Sequence, residues 1–332
     1  MGYLQSCNTT ETSPSEDLNN QKTKTAALDN NFVLDEVNKA LEDDPENTLL
    51  LTKRAEILLK MARIEEGLPS IAKAYRIDSL DLSIRKTHAD YMLATTRILA
   101  ARKDYNYIIE QNPGDAHAYL GMARTYAVED NFDKAFQLVD EALKRDKYIR
   151  EAYELKGMMF RVQNKLNLAI SSYQTAVEVD PNFYSGYVAL GNLFEIKEDP
   201  IAFEYYQTAY QLDTNGVDAI YGMAVYLQHF NQEDKAQELY RKMIALDSTN
   251  FVAYYNQGWI KLVIQNDLDS ATYFFNKTLE IVPKYANAWY NLGLTQVAKK
   301  NNKKAIECFK NVLKIDPNFK EADEQIQLLL KI

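Results

Sequence analysis

The 332-residue chain is 46% hydrophobic, enough for a sizeable core, and its formal net charge of -9 excludes the broad basic face of a general nucleic-acid binder. Gly 11 and Pro 8 are too few for an all-β chain, and no apolar run approaches the roughly 18 residues that cross a bilayer. Two cysteines, Cys7 and Cys308, give no disulfide framework.

Residues 1–27 are polar and rich in Ser, Thr and Asn, and they predict a disordered tether that cannot bury enough surface to fold. Residues 28–47 carry Phe32, Val33, Val37, Ala40 and Leu41 at helical spacing and close near Pro45, which predicts an N-terminal capping helix. From Thr48 to Phe319 the chain divides into eight units: 48–81, 82–115, 116–149, 150–183, 184–216, 217–250, 251–285 and 286–319. Each is expected to be two antiparallel helices joined by a turn. Residues 320–332, with Ala322, Ile326, Leu329 and Leu330 facing back, predict a C-terminal capping helix.

Two small-residue positions fix the register. The first-helix position holds Ala55, Ala89, Ala123, Gly157, Gly191, Ala224, Gly258 and Gly293, and the second-helix position holds Gly67, Ala101, Ala135, Ala169, Ala202, Ala236, Ala271 and Ala305. Small side chains are needed where two helix axes nearly touch. Four positions after the second set runs an apolar stripe, Ile71, Tyr105, Val139, Tyr173, Tyr206, Tyr240, Phe275 and Phe309, which predicts core. The fifth unit is one residue short, and Asp199-Pro200 is expected to cap its second helix. The seventh is one residue long, with the extra residue expected in the turn 265–270. Pro69 is expected in the first turn of its helix, or to kink it mildly.

The last unit reads Trp289, two residues, Leu292-Gly293, then Ala305, three residues, Phe309 and finally Pro317. This order resembles the tetratricopeptide repeat family. The resemblance implies an all-α, right-handed superhelical solenoid that binds protein or peptide segments in a concave groove lined by the first helices. Carried over position by position, that groove holds Lys53, Glu56, Lys86, Asp90, His117, Arg124, Glu151, Glu154, Met158 and Arg161 in the first half. In the second half it holds Asn192, Glu195, Tyr221, Gln228, His229, Tyr255, Asn256, Trp259, Tyr290 and Asn291. The first half is charged and the second is aromatic and amide. Tyr221, Tyr255 and Tyr290 are expected to form a ladder that binds an extended partner segment, with Trp259 beside it. The carboxylate clamp of co-chaperone members is not matched: Lys86 is followed by Asp90 where asparagine is needed and by Gly121 in the next unit.

Nothing in the spacing asks for catalysis. His88, His117 and His229 fall in separate places, and the chain has no HExxH, CxxC pair, Gly-rich phosphate loop or GxSxG elbow. No enzyme, cofactor or metal is expected, and the basic cluster Lys299, Lys300, Lys303 and Lys304 reads as a solvated loop. At the N-terminus, Leu4-Gln5-Ser6-Cys7 resembles a truncated lipobox of bacterial lipoproteins, which implies lipid on Cys7 and a membrane tether at the cell envelope. The same letters, Met1-Gly2 with Ser6, also fit N-myristoylation, and an unmodified tail would leave a cytoplasmic protein. A second function class is an oligomerising assembly factor that uses the convex face or the ends.

Overall fold

A computed structural model describes residues 30–331, and every regular element among them is helical. The described residues divide into two compact units, one ending at Thr214 and the other beginning at Asn215. The tether 1–27, and Cys7 within it, lie outside the described residues.

The first unit opens with α1, residues 30–43. Five helix pairs follow: α2 (Thr48–Lys60) with α3 (Ile64–Ile77), α4 (Leu82–Ala94) with α5 (Ile98–Gln111), α6 (Ala116–Ala127) with α7 (Phe132–Arg145), α8 (Arg150–Val162) with α9 (Leu166–Val179), and α10 (Tyr184–Ile196) with α11 (Ile201–Leu212). The second unit holds α12 (Val217–His229) with α13 (Glu233–Leu246), α14 (Phe251–Trp259) with α15 (Leu268–Ile281), α16 (Ala286–Ala298) with α17 (Asn302–Ile315), and a closing α18 (Lys320–Leu329). The structure is an all-α solenoid of paired helices.

Local chemistry starts and stops these helices. Asn47, Asp81, Asp115 and Asn250 each turn a side-chain oxygen onto a backbone N–H three residues on, at 2.9–3.1 Å, and so cap the first helix of a pair. Between the two helices of every pair stands one left-handed residue: Ala62, Thr96, Asp130, Asn164, Glu198, Asn231, Asn266 and Lys300, with φ between 50° and 59°. Such a residue reverses the chain within a few peptides and ends the first helix. In the fifth pair, Asp199 Oδ1 accepts the Ile201 N–H at 3.1 Å and Pro200 already has helical dihedrals.

All sixteen small residues of the register are buried, and so is the whole stripe from Ile71 to Phe309. Their sizes are matched. A Cβ at Gly157 would stand 2.7 Å from the Tyr173 ring, and one at Gly293 would stand 2.5 Å from the Phe309 ring. The match is not uniform, because Ala89 and Ala224 hold the same first-helix position in units whose stripe residue is Tyr105 or Tyr240.

Four local expectations are corrected. The extra residue of the seventh pair does not lie in the turn 265–270. It sits upstream, where Ile260–Ile264 winds as a π-helix and the Gln265 N–H reaches back to Ile260 O at 3.1 Å. Pro69 occupies the second turn of α3 rather than the first, and the helix runs on to Ile77. In α1, Leu34 and Val37 pack against Ile57 and Leu58, while Phe32 is exposed, because only one face of that helix meets α2. At the far end Ala322, Ile326 and Leu329 cover Phe309 and Val312, whereas Leu330 lies beyond α18 and is exposed.

Candidate partner-binding face

In the first unit α2, α4, α6 and α8 touch in succession, so the first helices form one layer. Between α6 and α8 that layer opens into a pocket of about 430 Å³. Its walls are Leu93, Val128, Phe132, Leu155, Met158 and Val162, and its rim carries Arg124, Glu151 and Glu154. Val128 is 59% exposed, Val162 66% and Met158 44%, so the apolar walls meet solvent.

The rim charges are not equivalent. Arg150 Nη2 pairs with Glu151 at 2.8 Å, Arg150 Nη1 pairs with Glu154 at 2.9 Å, and the Arg150 guanidinium lies 4.0 Å above the Phe183 ring. Burial works to raise the Glu151 carboxyl, but a backbone hydrogen bond and the charges of Arg150 and Arg124 outweigh it and hold its pKa below the ordinary value. Farther along, Tyr105 donates its hydroxyl proton to Asp90 at 2.5 Å. Burial pushes that carboxyl above the ordinary aspartate range against the pull of Tyr105, Lys86, Arg124 and His117. Arg124 therefore stands between two carboxylates that are already occupied, and it forms no ion pair of its own among the described residues. Arg161 is exposed on α8 outside the pocket.

The second unit spends its polar and aromatic groups differently. Tyr255 stands edge-on to Tyr285 at 5.1 Å between ring centroids, and its hydroxyl accepts a hydrogen bond from Asn291 Nδ2 at 3.0 Å. Tyr290 packs on Phe309 and Phe319, at 5.6 and 5.1 Å. Asn256 Nδ2 donates to Val252 O of its own helix at 2.9 Å. Trp259, half-buried, is the residue on which α14 passes into the π-helical turn, and Tyr221 is 39% exposed on α12. The structure thus brings Arg124, Glu151 and Glu154 around one pocket, and Tyr255 with Asn291 into one hydrogen bond. Tyr255 meets Tyr285, the residue just before α16, rather than Tyr290.

Family profiles described as tetratricopeptide repeat match residues 286–319, 87–148 and 151–183. These segments are tetratricopeptide repeats. Human protein O-mannosyl-transferase TMTC1 is 28% identical over 187 residues, which is 53% of this chain and 21% of that protein. Anaphase-promoting complex subunit 3 of Schizosaccharomyces pombe is 21% identical over 196 residues, covering 58% of this chain and 29% of that protein. The chain thus spans less than a third of either relative. Among solved structures, the APC/C hetero-tetramer Cut9-Hcn1 superposes with a TM-score of 0.60 over 90% of this chain and 58% of that one, at 20% identity, which shows the fold.

Two features of the repeats were missed in the sequence. The pocket walls Val128 and Val162 occupy the thirteenth position of two successive units, just after the end of α6 and at the last residue of α8, and Ile196 repeats the pattern at 61% exposed. Aliphatic residues recurring there, where a helix end faces solvent, were the available signal. The second is a buried polar node. Asp104, 2% exposed, accepts from Arg85 Nη1 at 2.7 Å and from the Tyr75 hydroxyl at 2.9 Å, and it pairs with His88 Nδ1 at 2.7 Å. The His88 ring stacks on Tyr75 at 4.0 Å, and the Arg85 guanidinium lies 3.8 Å from the Tyr107 ring centre. One carboxylate is saturated by three donors, so the node ties α3, α4 and α5 together. Among the described residues no group of His, Cys, Asp and Glu is placed to hold a metal, and no helix is long and apolar enough to cross a membrane.

Proposed function

We propose that this chain is a non-catalytic scaffold that holds a segment of a partner protein on the first-helix face of its first unit. The observation that carries this reading is the pocket between α6 and α8, whose aliphatic walls Val128, Met158 and Val162 stay open to water. Exposed apolar surface gathered in a concavity and rimmed by charge marks an interaction site. Support comes from the tetratricopeptide repeats and from relatives such as anaphase-promoting complex subunit 3, whose name places that protein in a multiprotein assembly.

The test is site-specific photo-crosslinking in the native host, with the probe at Met158 or, as a control, at Leu49 on the first helix of another pair. A partner adduct from Met158 that disappears in Val128→Asp with Val162→Asp is the expected result. Adducts that survive the double change, or that form equally from Leu49, would overturn it. An adduct to a second copy of this chain would move the reading to an assembly factor. We further propose, from Leu4-Gln5-Ser6-Cys7, that the scaffold is held at the cell envelope by lipid on Cys7. Intact mass of the native protein checks this: a diacylglyceryl-type addition with loss of residues 1–6 supports the anchor, and an unmodified mass refutes it.

A further inference from the structure

The charges around the pocket say more about its occupant than its volume does, and this inference rests on the scaffold reading. Each acidic group on this part of the face is already engaged: Asp90 by Tyr105, and Glu151 and Glu154 by Arg150. The cations are not. Lys86, Arg124 and Arg161 form no ion pair or side-chain hydrogen bond among the described residues, although Arg124 stands close enough to Asp90 and Glu151 to pull on both. Arg124 is half-buried and feels both Asp90 and Glu151, yet neither carboxylate takes a hydrogen bond from its guanidinium, a lack that an incoming carboxylate would relieve.

We infer that the face is built for an acidic segment: an extended stretch of partner protein with one aliphatic or aromatic side chain in the pocket and carboxylates flanking it to meet Lys86, Arg124 and Arg161. The sign runs against the chain's net charge of -9, which would repel an acidic partner elsewhere on the surface and confine its approach to this face. A polyphosphate backbone does not fit, because one cation on the pocket rim and two elsewhere on the first helices are not the continuous basic stripe that neutralises nucleic acid.

The experiment is selection of random peptides of about twelve residues on the purified full chain, followed by anisotropy with synthetic, end-blocked copies of the enriched peptides. Enriched sequences should carry two or more Asp or Glu around a large apolar residue. Their affinity should fall about tenfold in Lys86→Gln with Arg124→Gln, and again as salt is raised on the wild type, where no mutation can unfold the protein. Basic or uncharged winners, affinity indifferent to the double change, no enrichment at all, or equal competition by a single-stranded oligonucleotide would each overturn it. Failure of this kind leaves the scaffold reading to its own cross-linking test, because a partner captured at Met158 need not be acidic.

Discussion

The two units use the same helix-pair plan, yet they dispose of their polar and aromatic side chains in opposite ways. In the first unit, the apolar pocket residues Val128, Met158 and Val162 stay exposed, and Lys86, Arg124 and Arg161 form no ion pair or side-chain hydrogen bond among the described residues. In the second, several of the residues that look most adhesive in the sequence also touch one another or the core, Tyr255 meeting Tyr285 and Asn291, Tyr290 meeting Phe309 and Phe319, and Asn256 bonding its own helix, while Tyr221 stays 39% exposed. Residue type says what a side chain can bind, and its neighbours set how much of it is left to do so.

The sharpest way to separate the units is to break the polar node of the first. Asp104→Ala leaves Arg85 buried without its counter-ion and should cost about 3–5 kcal/mol. Because repeats couple mainly to their neighbours, hydrogen exchange should show α3 to α5 losing protection while Asn215 to Leu329 keep theirs. Equal loss in both units would mean that they unfold together and that the division is only geometric.

Next in size are Gly157→Leu in the first unit and Gly293→Leu in the second, where an added side chain meets the Tyr173 or Phe309 ring. Each should cost at least about 1–3 kcal/mol in urea denaturation, since the close-approach rule is common to both units. A wild-type midpoint for either would dismantle the register at that pair. Tyr255→Phe then sharpens the contrast. It removes the hydroxyl that accepts from Asn291 and should cost about 1 kcal/mol of stability without altering partner capture by the first unit. Loss of capture in a fully folded Tyr255→Phe protein would return the binding site to the aromatic half.

The smallest effect concerns the inter-helix turns. Thr96 holds φ 58°, which a β-branched residue adopts at a cost of about 1–2 kcal/mol, whereas Asn231 in the second unit, at φ 54°, suits that conformation. Thr96→Gly should therefore raise stability by about 1 kcal/mol, and Asn231→Gly should change it by less than about 0.5 kcal/mol. Thermal melts of the two variants decide the matter.

How much was legible in the sequence follows from range. The helix pairs and their core could be read because Gly157, Ala169 and Tyr173 recur at fixed spacing, and spacing along one chain is what a sequence displays directly. The left-handed residues were not read, because Ala62, Thr96, Glu198 and Lys300 carry none of the glycine or asparagine preference that would announce them. The Asp104 node was hidden for a different reason. Its members lie on three helices, with Tyr75 and Asp104 29 residues apart, and only packing shows that they meet. The pocket failed in the same way: the carried-over positions found Arg124, Glu151, Glu154 and Met158, but Leu93 and Phe132 enter from helices whose relative placement no single-helix pattern contains.

The π-helical turn at Ile260–Ile264 shows how such a chain absorbs a change in length. An added residue could have lengthened the loop. Instead it was wound into the end of a helix, and the left-handed Asn266 still precedes the small Ala271 by the same five residues that separate Ala62 from Gly67. In this pair the phase between turn and second helix is kept and the count of residues is not, whereas in the short fifth pair Glu198 precedes Ala202 by four and the lost residue falls in that interval. An insertion or deletion placed before the turn is erased before the next pair begins, and the error does not propagate. Shortening Ile260–Ile264 by one residue should return that stretch to an α-helix and leave every later repeat in step.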